Sequence, residues 1–126
     1  ANLSGANLLG ADLSGANLSR ADLSRAKIEF WQFPSIRILS SMQLDQLSDT
    51  LTTELFRHDM AAHPHPELFG EWAENDGPCP YINEERWWFF ELRKDCWKPG
   101  KPELTNCELI KAICKEKGWT IKGYKL

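Results

Sequence analysis

Six consecutive five-residue units open the chain: ANLSG, ANLLG, ADLSG, ANLSR, ADLSR and AKIEF fill residues 1–30. Ala recurs at positions 1, 6, 11, 16, 21 and 26. An aliphatic residue follows two places later each time, at Leu3, Leu8, Leu13, Leu18, Leu23 and Ile28. A period of five fits neither a helix of about 3.6 residues per turn nor a strand alternating by two. It suits a coil that turns a corner every five residues, with the Ala and the Leu of each unit pointing inward. The expected core of that coil is Ala6, Leu8, Ala11, Leu13, Ala16, Leu18, Ala21, Leu23, Ala26 and Ile28. If units four apart stack, Leu3 lies by Leu23, Leu8 by Ile28, Asn2 by Asp22 and Asn7 by Lys27, and no like charges meet. Asn and Asp bond local backbone at the corners, while Gly5, Gly10 and Gly15 permit tight turns.

The units resemble the pentapeptide-repeat family, whose pattern is A-(N/D)-L-x-x, over roughly a quarter of the chain. The resemblance implies a right-handed quadrilateral β-helix with four units to a coil, Leu and Ala stacked inside and Asn/Asp outside. Beyond Phe30 the period decays. WQFPS puts Phe33 at the Leu position and IRILS puts Ile38 there, but Trp31 and Ile36 take the place of the small Ala. Residues 31–40 are therefore expected to form a distorted last turn that closes the solenoid. The chain then divides into a β-helix stub, 1–40, and a helical cap or interaction domain, 41–126, an α+β fold overall.

Two coils are too few to be stable alone, because each repeat buries its apolar face only against a neighbour. Either more repeats precede Ala1, or the second domain and a partner supply the missing burial. Ala1 stands mid-motif without Met, so the chain is expected to be cut from a longer protein, with a signal peptide upstream left open. An open first coil, lined by Leu3, Leu8, Leu13 and Leu18, is expected to be covered by another chain through end-to-end stacking.

Residues 1–29 contain no aromatic, whereas the remainder holds six Trp, six Phe and two Tyr. That remainder reads as helices between Pro/Gly-marked loops. Leu44, Leu47, Leu51 and Leu55 make an apolar stripe on a helix ending near Ala62, begun at Ser48-Asp49 or by an earlier turn at Ser41. Pro66 opens a second helix with Phe69 and Trp72 inward, stopped at Asn75-Asp76-Gly77-Pro78. Asn83 is expected to cap a third, with Glu84 and Glu85 in its first turn and Arg93 and Lys94 in its last. Its run Trp87-Trp88-Phe89-Phe90 cannot face one side only, so the helix should be buried nearly all round or partly in an interface. Thr105 and Glu108 form a capping box for the fourth, with Leu104 and Leu109 at staple spacing and Gly118 as the stop. Trp119 to Lys122 alternate as one short strand or an extended tail.

Net charge is −3, which argues against a general nucleic-acid binder, and no apolar run is long enough to span a membrane. Residues 45–85 carry ten acids and one base, residues 86–126 ten bases and five acids. These stretches either face each other in the fold or are unevenly charged solvated surface. The three histidines, His58, His63 and His65, fall in one stretch with Asp59, and Cys79 lies downstream. Asp59 and His63 are four apart, so on a helix they share a face. With Cys79 they superficially suggest a Cys/His nucleophile, but Pro flanks the thiol on both sides and no signature surrounds it. The same residues, His58, His63, His65 and Cys79, are the candidate metal ligands. No C-x2-C or H-x3-H spacing supports them, so neither a metal nor a cofactor is expected.

Cys107 and Cys114 lie seven apart on one helix, about 10 Å between Cα atoms and beyond bridging distance. The open pairings are 79–107 with 96–114, or 79–114 with 96–107. Four reduced thiols in a cytoplasmic protein are the expectation instead. Cys107, at a helix start, is the thiol expected to be reactive. The stretch from Glu54 to Tyr81 resembles segments of uncharacterised microbial proteins and brings no activity with it.

Three function classes compete. The first is a structural or protein-interaction module that binds another protein or itself, without enzymatic activity. The second, a DNA-mimicking topoisomerase-binding protein, relies on a long acidic solenoid. Here Asp12, Asp22 and Glu29 are balanced by Arg20, Arg25 and Lys27. The third is a small metal-binding or Cys/His enzyme domain.

Overall fold

The computed structural model describes residues 7–8, 26–42, 44 and 46–125 of the 126. Three short parallel strands tie the repeat to the rest of the chain. Strand β1 (Asn7–Leu8) pairs with β2 (Lys27–Phe30) in the register Asn7↔Lys27 and Leu8↔Ile28, so partners stand four five-residue units apart. Along β2 the burial alternates: Ala26, Ile28 and Phe30 are buried and Lys27 is exposed. The remaining positions of the expected coil core, from Ala6 to Leu23, lie outside the described residues, as does the side chain of Leu8. Apart from Asn7 and Leu8, the first coil, expected to stack on another chain, lies there too.

On its other side β2 pairs with β3 (Thr120–Ile121), in the register Glu29↔Thr120 and Phe30↔Ile121, and the Lys122 N–H donates to the Phe30 carbonyl at 2.7 Å. The sheet order is therefore β1-β2-β3, joining segments from both ends of the described chain. Phe30 meets Trp119 edge-on, with ring centroids 6.1 Å apart. The alternating tail thus forms a strand, and its inward residues Trp119 and Ile121 are buried beside β2.

Between β2 and β3 run five helices and one short 3-10 turn. Helix α1 (Ile36–Ser41) stands where a distorted last repeat was expected. The reason is local: Ser35, after Pro34, accepts the Ile38 N–H on its hydroxyl at 3.1 Å and starts a helix. Helical spacing then buries Leu39 and, just past the end, Met42, while Ile38, expected inward, is 56% exposed.

Helix α2 (Asp49–Ala62) begins at the Ser48 cap, whose hydroxyl accepts from the Leu51 N–H. Leu44 and Leu47 precede this helix in a turn with Gln46 at φ 62°, yet both are buried, so the expected stripe continues without the helix. Helix α3 (Glu67–Asn75) follows Pro66, buries Phe69 and Trp72, and stops at Asp76 in the left-handed region. Helix α4 (Trp87–Leu92) starts three residues later than it would with Asn83 as its cap. Residues 80–86 are turns instead, because Glu84 and Arg86 are drawn into ion pairs described below. Of the aromatic run only Phe89 and Phe90 are buried; Trp88 is half-buried and Trp87 is 40% exposed. The turn Lys94–Cys96 follows.

Helix α5 (Asn106–Lys117) has the complete capping box, with Glu108 N–H donating to the Thr105 hydroxyl and Thr105 N–H donating to the Glu108 carboxylate. Those bonds hold the Glu108 carboxyl below the ordinary carboxylate range. Its contribution to stability is present above that range and fades as the pH falls through it. Gly118, at φ 76°, ends the helix. Thr105→Ala should lower stability by about 1 kcal/mol. A shifted urea midpoint at unchanged slope is the check, and no shift would remove the cap's energetic role.

The helices enclose one aromatic cluster. Phe56, Phe69, Trp72, Tyr81 and Phe90 are all buried, and Tyr81 stacks on Phe90 with centroids 4.3 Å apart and planes at 11°.

Candidate functional site

The most organised polar structure lies beneath that cluster. Arg86, in the last turn before α4, is 4% exposed. Its Nη2 donates to Asp59 Oδ1 at 2.5 Å, its Nη1 to Ser40 Oγ at 2.6 Å, and its Nε reaches Glu84 Oε1 at 3.3 Å. The guanidinium also lies 5.5 Å from the Tyr81 and Phe90 ring centroids. The Tyr81 hydroxyl donates to the other Asp59 oxygen at 2.7 Å. Burial lifts the Asp59 carboxyl above its usual range, against the pull of Arg86 and Tyr81. The Tyr81 phenol is raised too, by burial first and by the adjacent carboxylate second. Asp59 holds Arg86 charged. With each partner satisfied, this is a structural tie from α2 to the 80–86 turns and α1.

Asp59 was expected to share a face with His63. It is engaged instead by Tyr81 and Arg86, while His63 accepts the His65 N–H on Nδ1 at 2.9 Å and packs edge-on against Phe69. His65 faces Glu67 at 3.5 Å. His58 sits on α2 between Glu54 Oε2, 3.3 Å from Nε2, and Asn106 Oδ1, 2.8 Å from Nδ1. Glu54 is itself buried, and its Oε2 accepts the N–H groups of both Glu103 and Leu104 at 2.8 Å, pinning the loop that leads into α5. His58 thus bridges α2 and α5, His63 and His65 contact each other, and Cys79 accepts the Tyr81 N–H on its sulfur at 3.4 Å. Among the described residues no group of three or more His, Cys, Asp or Glu is arranged to hold a metal ion.

The four cysteines are free thiols. Burial pushes Cys79 up to about 11 and Cys114 up to about 12, which makes both poor nucleophiles at neutral pH. Cys107 is exposed in the first turn of α5, and Cys96 lies 3.5 Å from both Asp49 and Arg93. Cys79 lines a shallow groove of about 520 Å³ with Trp72, Ile82, Trp87, Glu91 and Lys94. Its floor is fixed by Trp72, whose indole N–H donates to Glu91 at 3.0 Å and whose ring lies under Lys94.

The acidic and basic stretches do meet. Asp59–Arg86, Asp49–Arg93 and Asp76–Lys94 each join one to the other. A second group of cations is not used this way. Lys122 Nζ sits 4.5 Å above the Trp31 ring and Lys111 Nζ lies 5.6 Å from the Tyr124 ring, at the end of the sheet. Sequence reasoning passed over this surface because its parts come from the bend after β2, from α5 and from the tail after β3, each unremarkable alone.

No helix among the described residues is long and apolar enough to cross a membrane. No curated protein and no solved structure matches the chain. A protein family does match, described as pentapeptide repeats (8 copies), over residues 1–29. The opening segment of the chain, the one that carries β1 and the first three residues of β2, therefore consists of pentapeptide repeats.

Proposed function

We propose that the chain is a structural, protein-interaction module in which a right-handed quadrilateral β-helix of pentapeptide repeats is closed at one end by a helical domain. Pentapeptide repeats act in general as structural or protein-interaction modules, and no catalytic step is part of this reading. The observation that carries it is the sheet. A coil of four five-residue units returns to the same place after each round, which is the Asn7↔Lys27 and Leu8↔Ile28 register. The last strand of such a coil has a bare row of N–H and C=O groups on its far side, an invitation to uncontrolled pairing. Strand β3 satisfies that row, and Trp119 and Ile121 cover Phe30. A terminal coil protected this way presents its outward faces, and those of the helical domain, to other proteins.

The five-residue register supplies the test. On that register Leu13 takes an inward position, so Leu13→Asp should cost several kcal/mol, roughly the penalty of an unpaired buried ion. Ser14→Asp, one residue on and outward, should stay within about 0.5 kcal/mol of the parent. Thermal melts followed by circular dichroism read both. Equal damage from the two substitutions would overturn the β-helix.

A further inference from the structure

We propose that the chain binds a second copy of itself, by docking the acidic outer face of α3 onto the lysine–aromatic surface at the end of the sheet. The proposal rests on the reading of the chain as a protein-interaction module and names its partner. The receiving surface has two exposed rings, Trp31 at 43% and Tyr124 at 51%, each already flanked by a lysine, Lys122 and Lys111. Lys125 is exposed just beyond Tyr124. Tyr124 is also braced from beneath by Phe33, with ring centroids 5.1 Å apart. Rigid aromatic rings with polar edges are the side chains that dominate protein interfaces, and a ring under a lysine is held ready for contact. The lysines add a positive field, which selects an anionic occupant and speeds encounter.

That occupant exists on the same molecule. Glu67, Glu71 and Glu74 stand at spacings of four and three on α3, so they share one face, and all three are exposed. The one basic side chain shown against them among the described residues is the His65 imidazole, 3.5 Å from Glu67. No basic residue sits in the last turn of α3. Elsewhere the acidic stretch meets Arg86, Arg93 and Lys94 in ion pairs, whereas among the described residues no such pair is shown for Glu71, Glu74, Lys122 or Lys125, and Lys111 feels the nearby Glu108 only at longer range. One copy offers both surfaces, so the contact either repeats reciprocally across a two-fold axis and closes as a dimer, or runs head to tail into a ring or a longer assembly.

The experiment is sedimentation velocity of the full chain at micromolar concentration. Association is expected near 0.1 M salt and should weaken at least about tenfold towards 1 M, as the Debye length falls from about 10 Å to about 3 Å. Two triple charge reversals decide the surfaces. Lys111→Glu with Lys122→Glu and Lys125→Glu makes both faces acidic; Glu67→Lys with Glu71→Lys and Glu74→Lys makes both basic. Each variant alone should be monomeric, and an equimolar mixture should associate again. Recovery in the mixture also shows that both variants remain folded, and Lys→Gln and Glu→Gln versions, carrying no repulsion, should each weaken association, while their mixture regains the single contact between the intact Glu face of one and the intact Lys face of the other and stops at a dimer.

A parent chain that is monomeric at low salt overturns the proposal, as does association that ignores both reversals. If the monomeric parent instead binds a fluorescent oligoglutamate peptide through the same lysines, the self-pairing is wrong while the interaction module stands. The Leu13→Asp and Ser14→Asp comparison tests that module independently.

Discussion

Ile121→Asp should abolish the cooperative melt of the chain, or lower its midpoint by roughly 10 °C or more, a loss of at least about 3 kcal/mol. Ile121 is 2% exposed, lies opposite Phe30 in the sheet register, and accepts the Tyr124 N–H on its carbonyl. A carboxylate there has no cation partner in the core and forces β3 off β2. The damage is not confined to the strand, because Trp119 then loses its edge contact with Phe30 and the end of α5 loses its anchor. Thr120→Asp is the control: Thr120 is in the same strand but exposed, so its melt should move by no more than about 0.5 kcal/mol. Equal midpoints for the two variants would mean that β3 is not packed on the sheet.

Breaking the Asp59–Arg86 pair should come second in size. Arg86→Met leaves a buried carboxylate with the Tyr81 hydroxyl as its remaining donor, at a cost of about 3–5 kcal/mol. Arg86→Met combined with Asp59→Leu removes both charges and should recover most of the loss, since apolar replacements of a buried pair are often neutral. A double-mutant cycle by urea unfolding measures the coupling, and additive losses would show that the two groups do not act as a unit. The pH dependence has a defined sign. Burial already raises the Asp59 carboxyl, and deleting its counterion raises it further. A carboxyl raised in the folded state favours folding when protonated and disfavours it as the pH climbs through its folded value. The deficit of Arg86→Met is therefore largest near neutrality and shrinks in acid.

Features governed by neighbours in the chain were legible in the sequence. Ser48, the Thr105–Glu108 box, Gly118 and the Asp76 stop all act within one helical turn, and each stands where its residue type predicts. The stacking of units four apart was legible through the resemblance to pentapeptide repeats, which implies four units to a coil, and the Asn7↔Lys27 register has that spacing. What failed was extrapolation and distance. Carrying the five-residue period past Pro34-Ser35 put Ile38 inside, although a capping Ser after a Pro is itself a helix start. Assigning Asp59 to His63 followed helical spacing, but the energetically decisive partner, Arg86, arrives from another element with hydrogen-bond geometry that no spacing rule encodes. The same draw on Glu84 and Arg86 converts the expected first turn of a helix into the tight turns before α4. For the lysine–aromatic surface no local signal exists.

Strand β3 also dictates an order of events during synthesis. Its partner β2 is made about 90 residues earlier, and parallel pairing over such a separation is among the slowest contacts a chain can form. Helices α1 to α5 lie wholly within that interval and rest largely on local bonds, so they can form first and shrink the loop that must be closed. Until residues 120–121 have left the ribosome and docked, the last repeat strand stays sticky along one side. Ribosome stalling or premature termination shortly before Thr120 would then yield a chain that has all of α1 to α5 but leaves the far edge of β2 open to aggregation.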